Sequence, residues 1–345
     1  MRVLVVNAGS SSLKVRLLEG EDLIGSYEQI PTEIAPAVEA VGHRIVHGGT
    51  RFTGPVVIDD VVEQQLHALA ELAPLHQSKS LQALAAAREA FPDVTHVACF
   101  DTAFHARMPA KARTVALPRA WRDKYALRRY GFHGLSHAWA ARRAVQLAPT
   151  ARRIVTCHLG AGASLCAVLD GCSVETTMSF TPLDGLVMAT RSGSVDPGLL
   201  LWLQERENLT AGELTDALEQ HSGLAGLADE PDMRALLART DREARLAVEV
   251  YVHRLAAGVA AMTAALSGLD ALVFTGGVGE NAAAVRAEVG GYLGHLGVDI
   301  DQDRNRNARP DARISADGAR VPVFVIAARE DLEIAGLCTT LLQPR

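Results

Sequence analysis

Val3-Leu4-Val5-Val6-Asn7-Ala8-Gly9-Ser10-Ser11-Ser12-Leu13-Lys14-Val15 and Ile154-Val155-Thr156-Cys157-His158-Leu159-Gly160-Ala161-Gly162-Ala163-Ser164-Leu165-Cys166-Ala167-Val168 follow one pattern. Each reads as an apolar strand, a tight turn of small residues and a second strand. Such a turn leaves backbone N–H groups unshielded, which suits it to phosphate oxygens. Two copies in one chain predict two related halves facing each other across a nucleotide. Neither copy has the G-x-x-x-x-G-K-[ST] spacing, and no G-x-G-x-x-G follows the first strand.

At 345 residues, 48% apolar and 21% charged, the chain has the composition of a soluble globular protein and the length for two domains. A net charge of −6 argues against a nucleic-acid surface, which needs excess Lys and Arg, but a local arginine cluster is enough for ATP. Cys99, Cys157, Cys166, Cys172 and Cys338 are odd in number, form no C-x-x-C and mostly lie in apolar runs. They predict buried, reduced thiols in a cytoplasmic protein. The apolar run 3–6 is too short for a secretory leader, and the Ala-rich stretch 255–269 predicts a buried helix rather than a membrane span.

Residues 1–18 and 23–30 predict a hairpin around Glu19-Gly20-Glu21-Asp22. Residues 40–49 predict a short strand ending in a glycine turn. Helical spacing of Leu and Ala covers 59–72 and 80–91, with Ala73-Pro74-Leu75-His76 as the break. Residues 94–100 read as a strand that delivers Asp101. A helix over 136–147 takes Ser136 as its N-cap, and Asp170-Gly171 marks a hairpin turn. Further helices are expected at 198–207, 211–221, 243–266, from about 282, and at 330–342. Strands are expected at 271–275 and 321–326, a glycine turn at 276–281, and an exposed loop at 301–317. The mixture predicts α/β domains, whose ligands lie beyond the C-terminal ends of strands; Asp101, Gly48-Gly49 and Gly276-Gly277 fall there.

Phosphoryl transfer needs cations around the equatorial oxygens, a metal and in-line placement of the acceptor. The planar fork of arginine matches phosphate and carboxylate oxygens. Arg44 lies between His43 and a glycine turn, and Arg191 lies in Ala189-Thr190-Arg191-Ser192-Gly193. Their apolar or glycine neighbours favour a functional role over a surface ion pair. His133 has Gly131 and Gly134 close by, which lets the backbone approach a ligand; a structural histidine is the alternative. The spacings His43/His47 and His133/His137 are not an H-E-x-x-H helix, so zinc is rejected. Magnesium, which prefers oxygen ligands, fits Asp101, Glu330 and the amide oxygen of Asn7.

Taken together these segments closely resemble the acetate kinase family, within the superfamily that also holds sugar kinases and actin. The matching stretches run in family order: Asn7-Ala-Gly-Ser-Ser-Ser-Leu-Lys14, Gly42-His-Arg-Ile-Val-His-Gly-Gly49, Leu72-Ala-Pro-Leu-His76, Phe100-Asp-Thr-Ala-Phe-His105, Arg129-Tyr-Gly-Phe-His-Gly134, Phe180-Thr-Pro-Leu-Asp-Gly-Leu186, Thr190-Arg-Ser-Gly193 and Thr275-Gly-Gly-Val-Gly-Glu-Asn281. The resemblance implies two ribonuclease-H-like, actin-like ATPase domains with an interdomain active-site cleft. The first would span 1–105 plus 332–345, and the second, nucleotide-binding and dimerising, 106–331. It implies a cytoplasmic homodimer that carries out reversible, magnesium-dependent phosphoryl transfer from ATP to acetate, giving acetyl phosphate and ADP for acetyl-CoA biosynthesis. Manganese is a substitute metal.

By the same resemblance Asn7 and Glu330 are metal-site residues, and Asp101, His133 and Arg191 are catalytic. Arg44 binds the substrate carboxylate, and Val46, Leu75, Phe132 and Pro182 line a small acyl pocket. Lys14 with Ser10 and Ser12, His158 to Gly162, Asp232, Met233, Arg234, and Gly277, Val278, Gly279, Glu280 and Asn281 hold the nucleotide. The chain departs from the family pattern in several places. It is short between the first hairpin and Gly42. Ala161 replaces an asparagine, Met233 an aromatic residue, Gln77-Ser78 an Asn-Pro, and Arg329-Glu330-Asp331 an Asn-Glu-Glu. The alternatives are a propionate or other short-chain acyl kinase, a pyrophosphate-using relative, and a non-catalytic nucleotide-binding protein. One methylene in an apolar pocket is worth only about 1–3 kcal/mol, so pocket residues alone do not separate acetate from propionate.

Overall fold

Residues 3–8 and 271–275 are buried at every position, as the central strands of a sheet covered on both faces require. They are the centres of two six-stranded sheets. The computed structural model describes residues 1–9, 13–34, 37–72 and 74–343, with side chains outside 71–76. The candidate residues Ser10 and Ser12 lie outside the described residues, as does the side chain of Leu75.

The chain divides into two units. One holds Met1–Ala106, Phe132–Trp139 and Arg329–Arg345; the other holds Arg107–Gly131 and Ala140–Ala328. The sequence reading instead assigns all of 106–331 to the second domain. The segment Phe132–Trp139 differs because Gly134 is bonded to the main chain of Asp101: its N–H donates to the Asp101 carbonyl at 2.9 Å.

The first sheet contains β1 (Arg2–Ala8), β2 (Leu13–Glu19), β3 (Asp22–Tyr27), β4 (Ala40–Ile45), β5 (Val56–Val57) and β6 (Thr95–Phe100). Their order is β3-β2-β1-β4-β6-β5. β1, β2 and β3 form an antiparallel meander; β4 is parallel to β1, β6 is parallel to β4, and β5 is antiparallel to β6. The second sheet contains β7 (Arg153–Leu159), β8 (Ala163–Leu169), β9 (Cys172–Thr176), β10 (Ala271–Thr275), β11 (Ala312–Arg313) and β12 (Val323–Val325). Its order, β9-β8-β7-β10-β12-β11, repeats the first strand for strand, with the same pattern of directions. The duplication expected from the two small-residue turns therefore extends to whole sheets.

Helices cover both faces of each sheet. In the first unit Leu4, Val6 and Val41 pack against Ala87 and Phe91, at one end of the helix Pro74–Ala90. The other face meets the helix Glu330–Leu342 at Gly42. A Cβ on Gly42 would stand 2.6 Å from Ile334 Cγ2 and 2.8 Å from Cys338 Sγ, so glycine sets the helix–strand distance. In the second unit the helix Arg242–Leu266 buries Ala244, Ala247, Tyr251, Val252, Leu255, Ala256, Val259, Met262, Thr263 and Leu266. That three-and-four spacing is a single core-facing stripe. The helix is long and apolar enough to cross a membrane by length and composition.

Four expectations are corrected. The helix expected from 80 begins at Pro74, because proline fits the first helical position, where its missing N–H is no loss. Ser136 is not an N-cap; the helix is Gly134–Leu147, and the Asp101 carbonyl takes the Gly134 N–H. The glycine turn at 276–281 is a short helix, Gly276–Asn281. The loop at 301–317 contains the helix Gln302–Arg306, capped by Asp301 Oδ1 on the Arg304 N–H at 2.8 Å, and the strand β11. The Asp170-Gly171 hairpin forms as expected, with φ of 49° and 77°.

Gly42→Ala is expected to lower the free energy of unfolding by about 1–3 kcal/mol, since Ile334 and Cys338 must move to admit the methyl group. Chemical denaturation measures it; an unchanged midpoint would contradict the close helix–strand contact.

Candidate active site

Parallel strands deliver the charged residues of the first unit to one edge. Arg44, near the end of β4, pairs in register with Cys99 of β6, and Asp101 follows the end of β6. The Asp101 N–H donates to the Ile45 carbonyl at 3.0 Å, which fixes the strand ends together. Arg44 Nη2 lies 2.6 Å from Asp101 Oδ2, and Arg44 Nε is 3.1 Å from both carboxylate oxygens. Arg44 Nη1 donates to Asn7 Oδ1 at 3.3 Å, and Asn7 Nδ2 donates to Glu330 Oε2 at 2.7 Å. Asn7, Arg44, Asp101 and Glu330 are thus one bonded chain. Lys14 is exposed and pairs in register with Asn7 across the first hairpin.

The pair is deeply buried: the Arg44 side chain is 12% exposed and that of Asp101 2%. Burial pushes the Asp101 carboxyl above its usual range; Arg44 pulls the other way, and Glu330 adds an upward push. For Arg44 burial acts downward, but the negative charges of Asp101 and Glu330 outweigh it and raise its pKa. The guanidinium is a permanent cation, bonded to the Asp101 carboxylate and held in the field of Glu330. Glu330 opens its helix, where the dipole favours negative charge. The neighbouring Asp331 carboxylate is occupied by Arg16 Nη1 at 2.9 Å and Arg329 Nε at 3.0 Å.

His133 has φ of 56°, the left-handed region that non-glycine residues seldom adopt. The backbone on either side holds it there. The carbonyl of Phe132 accepts from His105 Nε2 at 3.0 Å, and the next residue is Gly134. A Cβ on Gly134 would stand 2.1 Å from the Asp101 carbonyl oxygen, so only glycine permits this approach. Val46 and Phe132 are buried, and the His47 ring meets Phe132 edge-on at 5.6 Å. Gln77, buried in the helix Pro74–Ala90, braces the same segment. Its Oε1 accepts from the His47 N–H at 3.1 Å, and its Nε2 donates to the His47 carbonyl at 3.3 Å.

The second unit brings three loops together. The turn at 158–162 closes on itself, with the Gly160 N–H donating to the Gly162 carbonyl at 2.9 Å. The Ala161 carbonyl accepts from the Ala189 N–H at 3.1 Å, tying this turn to the Arg191 loop. Gly276, at φ 81°, packs on the main chain of Leu159, where a Cβ would stand 2.7 Å from the carbonyl oxygen. Arg191 Nη1 donates to the Pro182 carbonyl at 3.0 Å, and burial lowers the Arg191 pKa against an upward pull from Glu219. Its loop is shaped by Gly193 and Gly223, both at positive φ and both against main-chain carbonyls.

Of residues 232–234, Asp232 and Arg234 are exposed, joined at 3.1 Å, while Met233 is buried. Glu280 turns inward: its Oε1 accepts from the Gly276 N–H at 3.1 Å and the Ala328 N–H at 2.9 Å. Asn281 Nδ2 donates to the Gly277 carbonyl at 2.9 Å.

For magnesium the donor set is suitable. Asp101, Glu330 and Asn7 Oδ1 are hard oxygen donors around a single guanidinium. Among the described residues no group of three His, Cys, Asp or Glu side chains is arranged to hold a metal alone. Two carboxylates with one amide suit an ion that keeps waters and nucleotide phosphates in its shell.

The family model of the acetokinase family matches residues 21–336. The acetate kinase of Protochlamydia amoebophila is 42% identical over 308 residues, which cover 88% of this chain and 78% of that protein. Among solved structures, the acetate kinase of Porphyromonas gingivalis superposes with a TM-score of 0.90 at 32% identity, covering 99% of this chain and 100% of that one. A propionate kinase from Francisella tularensis gives 0.88 at 34% identity, covering 97% and 98%.

The buried histidines that brace the site give it a pH signature. Burial pushes His47 and His105 down to about 4. Between there and the ordinary value near 6.5 the unfolded chain binds protons that the folded chain does not. Stability present at neutral pH is therefore expected to fall as the pH drops from about 6.5 to 4, by up to about 3 kcal/mol per imidazole. Denaturation across that window should show a shallower fall in His105→Asn; an identical slope would contradict the assignment.

Proposed function

The chain belongs to the acetokinase family, and on that premise we propose that it transfers the γ-phosphoryl group of ATP to acetate, reversibly, giving acetyl phosphate and ADP. It is a phosphotransferase with a carboxylate as acceptor. The observation that carries the assignment of roles is the bonded chain Asp101–Arg44–Asn7–Glu330 at the strand ends of the first unit. It joins a guanidinium suited to a carboxylate substrate with oxygens suited to a metal.

In this reading Arg44 binds the acceptor carboxylate through Nη1, whose bond to Asn7 is the longest that Arg44 makes. Asp101 holds the guanidinium in place and, with Glu330 and Asn7, would hold magnesium; manganese accepts the same oxygen donors. When bound, the metal would neutralise negative charge on the β- and γ-phosphate oxygens. Arg191 and His133 stabilise the transferring phosphoryl group, and the left-handed backbone at His133 directs its ring. In the same reading Val46, Phe132 and Pro182 are the residues that meet the acyl group. The backbone of 158–162, with Lys14, residues 232–234 and 277–281, carries the nucleotide.

We propose further that the protein is a cytoplasmic homodimer that supplies acetyl phosphate toward acetyl-CoA. The helix Pro197–Glu207 buries none of its residues and exposes Leu199, Leu201 and Trp202, which favours a partner covering it. All five cysteines are free thiols, in keeping with a reducing compartment. A propionate acceptor is the second reading, favoured by the likeness to the Francisella protein.

Acyl-hydroxamate formation tests the proposal, with acetate or propionate and with ATP or pyrophosphate. Product with acetate and ATP is expected, and Arg191→Ala is expected to lower kcat by about two to four orders of magnitude, since the charge acts mainly in the transition state. Product only with another pair would reassign the substrate. No product from any pair, with nucleotide still bound, would mean a non-catalytic protein. A near-normal rate in Arg191→Ala would remove that residue from the site.

A further inference from the structure

Arg286 is buried (2% exposed) on the helix Ala283–Tyr292, and among the described residues no carboxylate pairs with it. Burial lowers its pKa to about 10, which still leaves it charged at neutral pH. A buried cation without a counter-ion is costly, and hydrogen bonds must take up its donors. Arg286 Nε donates to Asn305 Oδ1 at 2.7 Å and Nη2 to the Asn305 carbonyl at 2.8 Å. Asn305 is itself fixed through Nδ2 on the Ala283 carbonyl at 2.8 Å. The remaining nitrogen, Nη1, donates to the carbonyls of Gly279 and Glu280, each at 2.9 Å.

Those carbonyls belong to the last residues of the short helix Gly276–Asn281. Carbonyls at a helix C-terminus carry partial negative charge and want a cation. The rest of the turn is also held by side chains, through Glu280 to Gly276 and Ala328 on the inner side and through the exposed Asn281 to Gly277. Its outer side is open at Gly277, where an added Cβ meets no atom within 4 Å. An acidic partner for Arg286 would cancel its charge; a neutral Asn305 leaves that charge acting through the turn.

We propose that Arg286 is a positioning residue for the nucleotide: it fixes the glycine turn from behind, and its uncompensated charge favours a polyphosphate anion on the turn's open side. The proposal rests on the reading that residues 277–281 hold the nucleotide. Arg286 touches no reacting atom in this scheme, so its effect falls on nucleotide affinity and leaves turnover largely intact.

The test uses the full chain, with MgADP binding by calorimetry and steady-state kinetics with ATP and acetate varied in turn. Arg286→Met is expected to raise the MgADP Kd and the ATP KM about tenfold or more, with acetate KM and kcat at saturating ATP within about threefold. Arg286→Lys should recover part of the loss. A purely structural role would lower the melting temperature without this split between parameters. Folded Arg286→Met with ATP KM and MgADP Kd within about twofold of the parent would overturn the proposal.

Should Arg286→Met not fold, Asn305→Asp supplies the missing counter-ion while keeping an acceptor for Nε. Weaker MgADP binding supports the proposal, and unchanged binding overturns it. Gly277→Leu separates the two levels of inference, because a Cβ there meets no protein atom within 4 Å and the side chain is added on the open side of the turn. Unchanged MgADP binding in Gly277→Leu would sink the nucleotide reading of the turn. Weakened binding there, with none in the Arg286 and Asn305 variants, would sink the role of Arg286 alone.

Discussion

The ion pair between Arg44 and Asp101 is the constraint around which the first unit is arranged. A carboxylate that is 2% exposed is tolerable only with a partner, and Arg44 provides three contacts to it. The pair exists because β4 and β6 are parallel neighbours and end together, so that one strand's arginine and the residue after the other strand meet. Asn7 of the adjacent β1 and Glu330 of the last helix extend the pair into a chain of four. The Asp101 main chain also holds Gly134, and through it the strained backbone of His133, so the same strand end organises the histidine.

The two sheets share a topology, yet their strand ends differ in chemistry. Where the first unit ends its central strands in Asn7, Arg44 and Asp101, the second pairs His158 with Thr275 and surrounds them with glycines. Side-chain charge dominates one unit and exposed backbone the other. This division suits a reaction with one small charged acceptor and one large polyphosphate donor. Carboxylate and metal need point charges, whereas a polyphosphate chain is well served by a row of N–H groups. Arg286 fits the same division, since its charge reaches the second unit's edge through carbonyls of a glycine turn.

Much of this was legible in the residue order. Small-residue turns after apolar strands marked both sheets, and Asp-Gly at 170–171 marked its hairpin, because these signals are local. What stayed hidden was long-range. Ser136 reads as a cap only if the Asp101 carbonyl, which takes the Gly134 N–H, is unknown. Gln77 stands in the sequence only as a departure from the family's Asn-Pro, and nothing local marks its bond to His47, thirty positions earlier. Arg286 carries no local signal of burial, and Asn305 lies in a stretch so rich in Arg, Asn and Asp that it predicts solvent. Both are buried because each completes the other's hydrogen bonding, a relation that no spacing rule reveals.

The most direct test is a double-mutant cycle in kcat/KM over Arg44→Ala, Asp101→Asn and the two combined. If the pair works as one unit, the double variant is expected to be about as slow as the slower single variant, because either change already dismantles the shared arrangement. Losses that simply add would mean that Arg44 and Asp101 act independently, and would contradict the central place given to their contact.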